Sequence, residues 1–247
     1  VSSGEELSSV THIDWVDSIS IDDNNKYVIS GSQAAGYLQW DPSNGSVLNT
    51  IDLSTFPPIL SPDGLMLGYS IYGENQSVQD LIISDFRNGS VLRSIVDGNN
   101  PIVFSQDNSM VAFANHDFQT LRVWNISGDQ EYFSATHAGK ITLMSFSPDG
   151  KFIVTTGTDS VLHVWQIENG KEVASMIVPS RVNAITFSPD NRFVVYSYDN
   201  IAYTWYWRIN DLKEMLCLRL PRNLTLSEWA EHIGAGFSYH PTCPNLP

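Results

Sequence analysis

Apolar residues in this chain come in short, β-branched or aromatic runs separated by turn residues, and the arrangement repeats. Runs such as Phe152-Ile-Val-Thr155 and Arg192-Phe-Val-Val195 each follow a tight turn, and a second run after them ends in an aromatic, at Trp40, Trp124, Trp165 and Trp205. Short runs bounded by Gly, Asn, Asp and Ser are strands rather than helices. A third turn, at Asn44-Gly45, Asn88-Gly89, Ser127-Gly128 or Asn169-Gly170, leads to an alternating strand such as Lys171-Glu-Val-Ala-Ser-Met-Ile177.

The turns also set a period. Ser145-Phe-Ser-Pro-Asp-Gly150 recurs as Leu60-Ser-Pro-Asp-Gly64, Phe104-Ser-Gln-Asp-Asn108 and Phe187-Ser-Pro-Asp-Asn191, with a weaker copy at Ile21-Asp-Asp-Asn-Asn25. Their centres, Asn24, Asp63, Asp107, Asp149 and Asp190, are 39, 44, 42 and 41 residues apart. Repeats of about 40–45 residues with four strands each are the signature of propeller blades. The expected fold is all-β, with about five four-stranded blades near residues 11–50, 51–95, 96–136, 137–177 and 178–210. Residues 1–10 match the outer strand of a preceding blade, so a partial ring with blades missing upstream is expected.

From Asp211 the period changes. Asp211 with Glu214 fits a helix cap, Leu212, Met215, Leu216 and Leu220 follow at helical spacing, and Pro221 ends the run. Thr225-Leu-Ser-Glu228 reads as a capping box, with Leu224 and Trp229 as its staple and Gly234 as its stop. Residues 211–247 thus form a short helical and irregular tail over the last blade.

Composition narrows the function. A net charge of −14 in 247 residues repels phosphate backbones, so neither nucleic acid nor anionic membrane is an expected partner. No apolar run reaches the roughly 20 residues of a spanning helix, and a cytoplasmic location is expected. The only cysteines, Cys217 and Cys243, leave a bridge open but unsupported, and Cys243 reads best as a small apolar plug near Trp229. Cys217, His232, His240 and Cys243 have metal-ligand residue types at the wrong spacing, so no metal is expected. Five glycosylation sequons, at Asn44, Asn75, Asn88, Asn125 and Asn223, read mainly as turn chemistry.

The repeat resembles the WD-repeat β-propeller family over roughly residues 11–209. The family's buried tetrad of His, Ser or Thr, Asp and Trp is matched in full by His137, Thr155, Asp159 and Trp165, at offsets of 18, 22 and 28 from the histidine. Unit one repeats two of these offsets with His12, Ser30 and Trp40, but has Ala34 at the Asp place. Unit five keeps Asp199 and Trp205 but has Val178 and Tyr196 for the other two; Ser84 replaces Trp in unit two. The resemblance implies an architectural tetrad. A hydrolytic triad needs an exposed hydroxyl nucleophile, whereas Thr155 lies inside a strand, so no catalytic residue and no cofactor is expected.

The family's partner-binding rim, carried over by spacing, falls on Trp15, Asp17 and Gln33 in unit one and Asn100 and His116 in unit three. In unit four it falls on Lys140, Thr142 and Thr158, and in unit five on Arg181, Asn183 and Tyr198. The ending, Arg219-Leu-Pro-Arg-Asn-Leu-Thr225, Glu228-Trp229 and Thr242-Cys-Pro-Asn-Leu-Pro247, is similar to the tail of many bacterial WD-repeat proteins. That likeness implies a regulatory module binding a protein or peptide, attached to an upstream effector or nucleotide-binding ATPase of signalling or defence type. The alternatives are a propeller hydrolase or lyase with a channel-facing site, and an extracellular propeller for small ligands or glycans, which calls for an oxidised Cys217–Cys243 pair.

Overall fold

The computed structural model describes residues 8–16, 18–21, 26–32, 36–51, 58–72, 79–128, 130–179, 181–234, 238–241, 243 and 246. One hydrogen-bonded device builds four of the turns that punctuate the chain. Ser61, Ser105, Ser147 and Ser188 donate their hydroxyls to Asp63, Asp107, Asp149 and Asp190 at 2.6–2.7 Å. The same serine oxygens accept the amides of Met66, Met110, Phe152 and Phe193, the residues that lead into the next strand. One turn position is left-handed, and it is filled by Gly64, Asn108, Gly150 and Asn191, at φ of 72°, 61°, 66° and 59°. Only Gly, and Asn at small cost, accept that conformation readily. The weaker copy centred on Asn24 lies outside the described residues.

Each turn lies within an antiparallel sheet whose strands are hydrogen-bonded in chain order. The first sheet is β1 (Ser18–Ile21), β2 (Val28–Ser32), β3 (Gly36–Trp40) and β4 (Val47–Ile51). The second is β5 (Ile59–Leu60), β6 (Met66–Tyr72), β7 (Gln79–Asp85) and β8 (Val91–Val96). The third is β9 (Gly98–Phe104), β10 (Met110–Asn115), β11 (Thr120–Asn125) and β12 (Gln130–Thr136). The fourth is β13 (Ile141–Phe146), β14 (Phe152–Gly157), β15 (Val161–Gln166) and β16 (Glu172–Ile177). The fifth is β17 (Ala184–Phe187), β18 (Val194–Tyr198) and β19 (Ile201–Trp205).

That fifth sheet corrects the expectation of four strands in every unit, because among the described residues it has three. After Trp205 there is no Asn-Gly turn and no β-branched run to make a fourth. Instead Trp207 is buried against Phe152 and Phe187, and a helix follows directly.

Apolar faces of successive sheets bury one another. Met110, Leu121 and Val123 of the third sheet meet Ile141, Phe146 and Ile153 of the fourth. Val154 and Val164 of the fourth meet Phe187 and Val194 of the fifth, with Trp207 filling the outer end. Each such side chain fully buried is worth about 1.5–3 kcal/mol relative to exposure, so stacking holds the blades in sequence. Inner strands pack in the order β1, β5, β9, β13 and β17, and among the described residues β17 shows no comparable packing on β1. The result is an unclosed fan.

In the tail, α1 (Ile209–Arg219) starts two residues before the expected cap. Its N-cap is Arg208, with no side-chain cap. Asp211 and Glu214 are drawn to the Arg192 guanidinium at 3.5 and 2.6 Å instead, an ion pair that ties the helix to the fifth sheet's turn. The capping box of α2 (Leu226–Trp229) forms: Thr225 accepts from the Glu228 amide at 3.3 Å, and Glu228 accepts from the Thr225 amide at 2.8 Å. A π-type turn continues the helix over Ala230–Gly234. Cys243 is no isolated apolar plug, since it is disulfide-bonded to Cys217 with the Cα atoms 5.4 Å apart. Buried Asn223 holds the same segment, donating to the carbonyls of Cys243 and Leu246 and accepting from the Cys243 amide, all at 2.8 Å. A glycan on that amide nitrogen is incompatible with these bonds.

Candidate functional site

The densest polar chemistry lies inside blade four. β14 and β15 pair so that Thr155 stands opposite His163 and Ile153 opposite Trp165. This register points Thr155 toward the indole, and Trp165 Nε1 donates to Thr155 Oγ1 at 2.8 Å. His137, just before β13, places Nε2 2.9 Å from the same hydroxyl and Nδ1 3.3 Å from Asp159 Oδ2. Asp159 sits in the β14–β15 turn and also accepts the Val161 amide. The His137 and Thr155 side chains are fully buried. Burial, and then the neighbouring His163, lower the His137 pKa to about 4 against the pull of Asp159, so the ring is neutral near pH 7.

Chemically, this arrangement satisfies buried donors. It leaves Thr155 Oγ1 sealed from any substrate and engaged by both neighbours, the opposite of an exposed nucleophile.

Blade one builds a shorter version. His12 Nε2 lies 2.8 Å from Ser30 Oγ, and Trp40 Nε1 donates to that oxygen at 2.9 Å. Ala34, at the place of the acid, lies outside the described residues. Blade five brings no such set together: Tyr196 faces Tyr203 where blade four has Thr155 facing His163. Tyr196, Tyr198 and Tyr203 stack there with centroids 4.6–6.2 Å apart. Asp199 stays exposed at φ of 51°.

Blade three holds an arrangement that tetrad reasoning misses. Trp124 Nε1 donates to Glu131 Oε2 at 3.1 Å, and Arg122 reaches the same oxygen at 2.6 Å. The guanidinium also lies over the Phe113 and Trp124 rings, 5.4 and 5.3 Å from their centroids. In blade four the equivalent places, 41 residues on, hold His163 and Glu172. Reading the sequence at that spacing beside Trp124 and Trp165 would have disclosed both pairs.

The expected rim residues divide. Trp15, His116, Lys140, Thr158, Arg181 and Asn183 are exposed, whereas Asn100, Thr142 and Tyr198 are half-buried; Asp17 and Gln33 lie outside the described residues. The exposed ones sit on connections that enter a first strand or join a second to a third, which in an antiparallel blade lie at one end. Two of them meet, and others are held by neighbouring residues. The Lys140 amide donates to Thr158 Oγ1 at 2.8 Å, Lys140 Nζ lies 5.2 Å from the Phe118 ring centroid of blade three, and His116 is paired with Asp97. Thr142 is turned back into its sheet, donating to the Thr156 carbonyl at 3.4 Å.

Successive antiparallel sheets in chain order, with an indole-to-hydroxyl bond inside the blade, define a partial β-propeller. Residues 102–190, spanning most of blades three and four and the start of five, match the family model described as the anaphase-promoting complex subunit 4 WD40 domain. Over those residues the chain is similar to the WD-repeat family. No curated protein matches it.

Proposed function

We propose that this chain is a non-catalytic platform for a protein or peptide partner, read by the exposed rim, and the regulatory part of a larger signalling or defence-type protein. The carrying observation is a division of polar chemistry. The His137 cluster is sealed inside its blade, while Trp15, a residue type that dominates interface hot spots, is 88% exposed beside exposed Ile13. WD-repeat domains generally bind protein partners, and the matched family model is named for a subunit of a multiprotein complex.

Two further features support binding over chemistry. A cleft of about 510 Å³ between β9, β13 and β17 is lined by apolar, Ser, Thr, Gln and Pro residues, while clefts of about 630 and 420 Å³ hold Arg208 with Asp211 and Asp107 with Lys151 and Glu168; no histidine or cysteine lines any of the three. The net charge of −14 disfavours nucleic acid and anionic lipid. No helix among the described residues is long and apolar enough to cross a membrane.

The attached effector or ATPase rests on the similarity of the tail to those of bacterial WD-repeat proteins. A cytoplasmic setting belongs to the same reading, and the Cys217–Cys243 bond strains it, because disulfides persist in oxidising compartments. Thiol titration of protein taken directly from its cells decides that point.

The experiment for the main reading is cross-linking of the intact protein in its own cells, comparing wild type with the W15A/K140E/R181E variant. Loss of the captured partner at an unchanged melting temperature is expected. Equal capture and equal effector control by the variant would overturn the assignment.

A further inference from the structure

Blade four differs from blade three in one exchange that brings a second imidazole to the buried cluster. His163 occupies the place of Arg122 and Glu172 that of Glu131. The shorter ring does not repeat the guanidinium's bonds. Its Nδ1 is 3.5 Å from Glu172 Oε1 and its Nε2 3.6 Å from Asp159 Oδ2, and both nitrogens are buried without a hydrogen bond. The ring stacks on Trp165 at 5.5 Å and meets His137 edge-on at 4.5 Å. Two imidazoles therefore converge on one carboxylate oxygen that is itself only slightly exposed.

The spacing is that of ligands around an ion. One ligand atom from each of His137, Asp159 and His163 lies within 4.8 Å of the other two, the group of three this close among the described residues. A tetrahedron with ligands at about 2.0–2.1 Å has edges of roughly 3.3 Å, and the two separations from Asp159 are 3.3 and 3.6 Å. A charge-assisted N–H···O bond would be nearer about 2.8 Å.

Outer partners complete the fit. In the tautomer whose Nε2–H donates to Thr155, the Nδ1 lone pair faces Asp159. Glu172 stands behind His163 Nδ1, where an outer carboxylate orients an imidazole for a metal. Two nitrogens and one carboxylate suit zinc, whereas calcium and magnesium prefer all-oxygen shells.

We propose that His137, Asp159 and His163 form a zinc-class divalent-cation site that ties the segment before β13 to the β14–β15 turn and to β15. Blade one is an internal control: His12, Ser30 and Trp40 keep the indole-to-hydroxyl bond, but Leu38 stands at the place of His163.

The test titrates zinc sulfate into chelator-stripped protein by calorimetry and thermal melting, with calcium and magnesium chlorides alongside. One zinc per chain and a raised melting temperature are expected, with no comparable effect of the other two ions. His163→Arg, which restores the blade-three residue, and His163→Leu both abolish the effect. Glu172→Gln weakens binding by about 10–100-fold, and His12→Gln and His240→Gln leave it intact. In imidazole 1H–15N spectra of wild type, zinc shifts the His137 and His163 signals, a readout independent of how well any variant folds. Absence of zinc binding at micromolar metal, binding that survives both His163 variants, or unmoved His137 and His163 signals would each overturn the site.

Discussion

Trp124 and Trp165 hold the same place in successive blades, yet their indoles donate to different partners: Trp124 to Glu131 at 3.1 Å and Trp165 to Thr155 at 2.8 Å. Blade three meets the need from its outermost strand, through a carboxylate that also holds Arg122. Blade four meets it from the strand on the other side, through a hydroxyl that also meets His137. The repeat preserves a buried donor and the obligation to satisfy it, not one set of partners.

Thr155→Val removes the acceptor of the Trp165 N–H and the partner of His137 without changing shape much. A loss of about 1–3 kcal/mol is expected, the cost of orphaning buried polar groups. Urea denaturation of the variant beside Thr155→Ser, which keeps the hydroxyl, measures it. Equal midpoints for wild type and Thr155→Val would show that the cluster contributes nothing to stability.

Glu131→Ala leaves the Arg122 guanidinium and the Trp124 N–H without their shared acceptor. The side chains of Arg122 and Glu131 are 19% and 30% exposed, so solvent screens the pair in part. A coupling energy of roughly 1 kcal/mol is expected from a double-mutant cycle with Arg122→Met. A cycle that closes at zero would reduce the pair to a surface contact.

The serine-to-aspartate turns of blades three and five confer acid sensitivity. Asp107 and Asp190 have pKa values below the ordinary carboxylate value, chiefly through the hydroxyls of Ser105 and Ser188. A carboxyl whose pKa is depressed on folding adds stability that is complete above its unfolded pKa, near about 3.9, and is lost as pH falls through the lower folded value. Carboxyl NMR titration of wild type against the S105A/S188A variant checks this. In the variant both aspartates should titrate closer to the ordinary value, and unchanged midpoints would refute the assignment.

Reduction of Cys217–Cys243 should release the tail while the blades stay folded. The bond closes a loop across a sequence separation of 26, worth about 3.5 kcal/mol in the chain-entropy account, and none of the residues of α1 is buried. Trypsin is expected to cut after Arg219 and Arg222 faster in dithiothreitol than without it. Identical digestion under both conditions would mean that other contacts suffice, the Asn223 hydrogen bonds foremost.

Much of the fold was legible in the sequence because local chemistry repeats within it. The Ser-x-Asp turn with Gly or Asn at its left-handed position marks blades two to five at Gly64, Asn108, Gly150 and Asn191. Alternation between turns marks strands, and Thr225 with Glu228 marks a helix start. The first tail helix was misjudged at its start because Asp211 and Glu214 suit a cap, but an arginine distant in the chain competes for both. In the polar cluster, the offsets among His137, Thr155, Asp159 and Trp165 stood out against a known repeat. His163 and Glu172 did not, since nothing local separates them from ordinary strand residues and only their 41-residue spacing from Arg122 and Glu131 marks them.

By itself, then, the order of residues determines where strands begin and end, because turn geometry and alternation are settled within a few neighbours. Only the tertiary structure decides which side chain meets each buried donor, that the fifth sheet gives way to a helix tied to Arg192, and that Cys217 lies beside Cys243. Those outcomes depend on contacts between segments 10 to 45 residues apart, whose distances come from packing and not from any local preference.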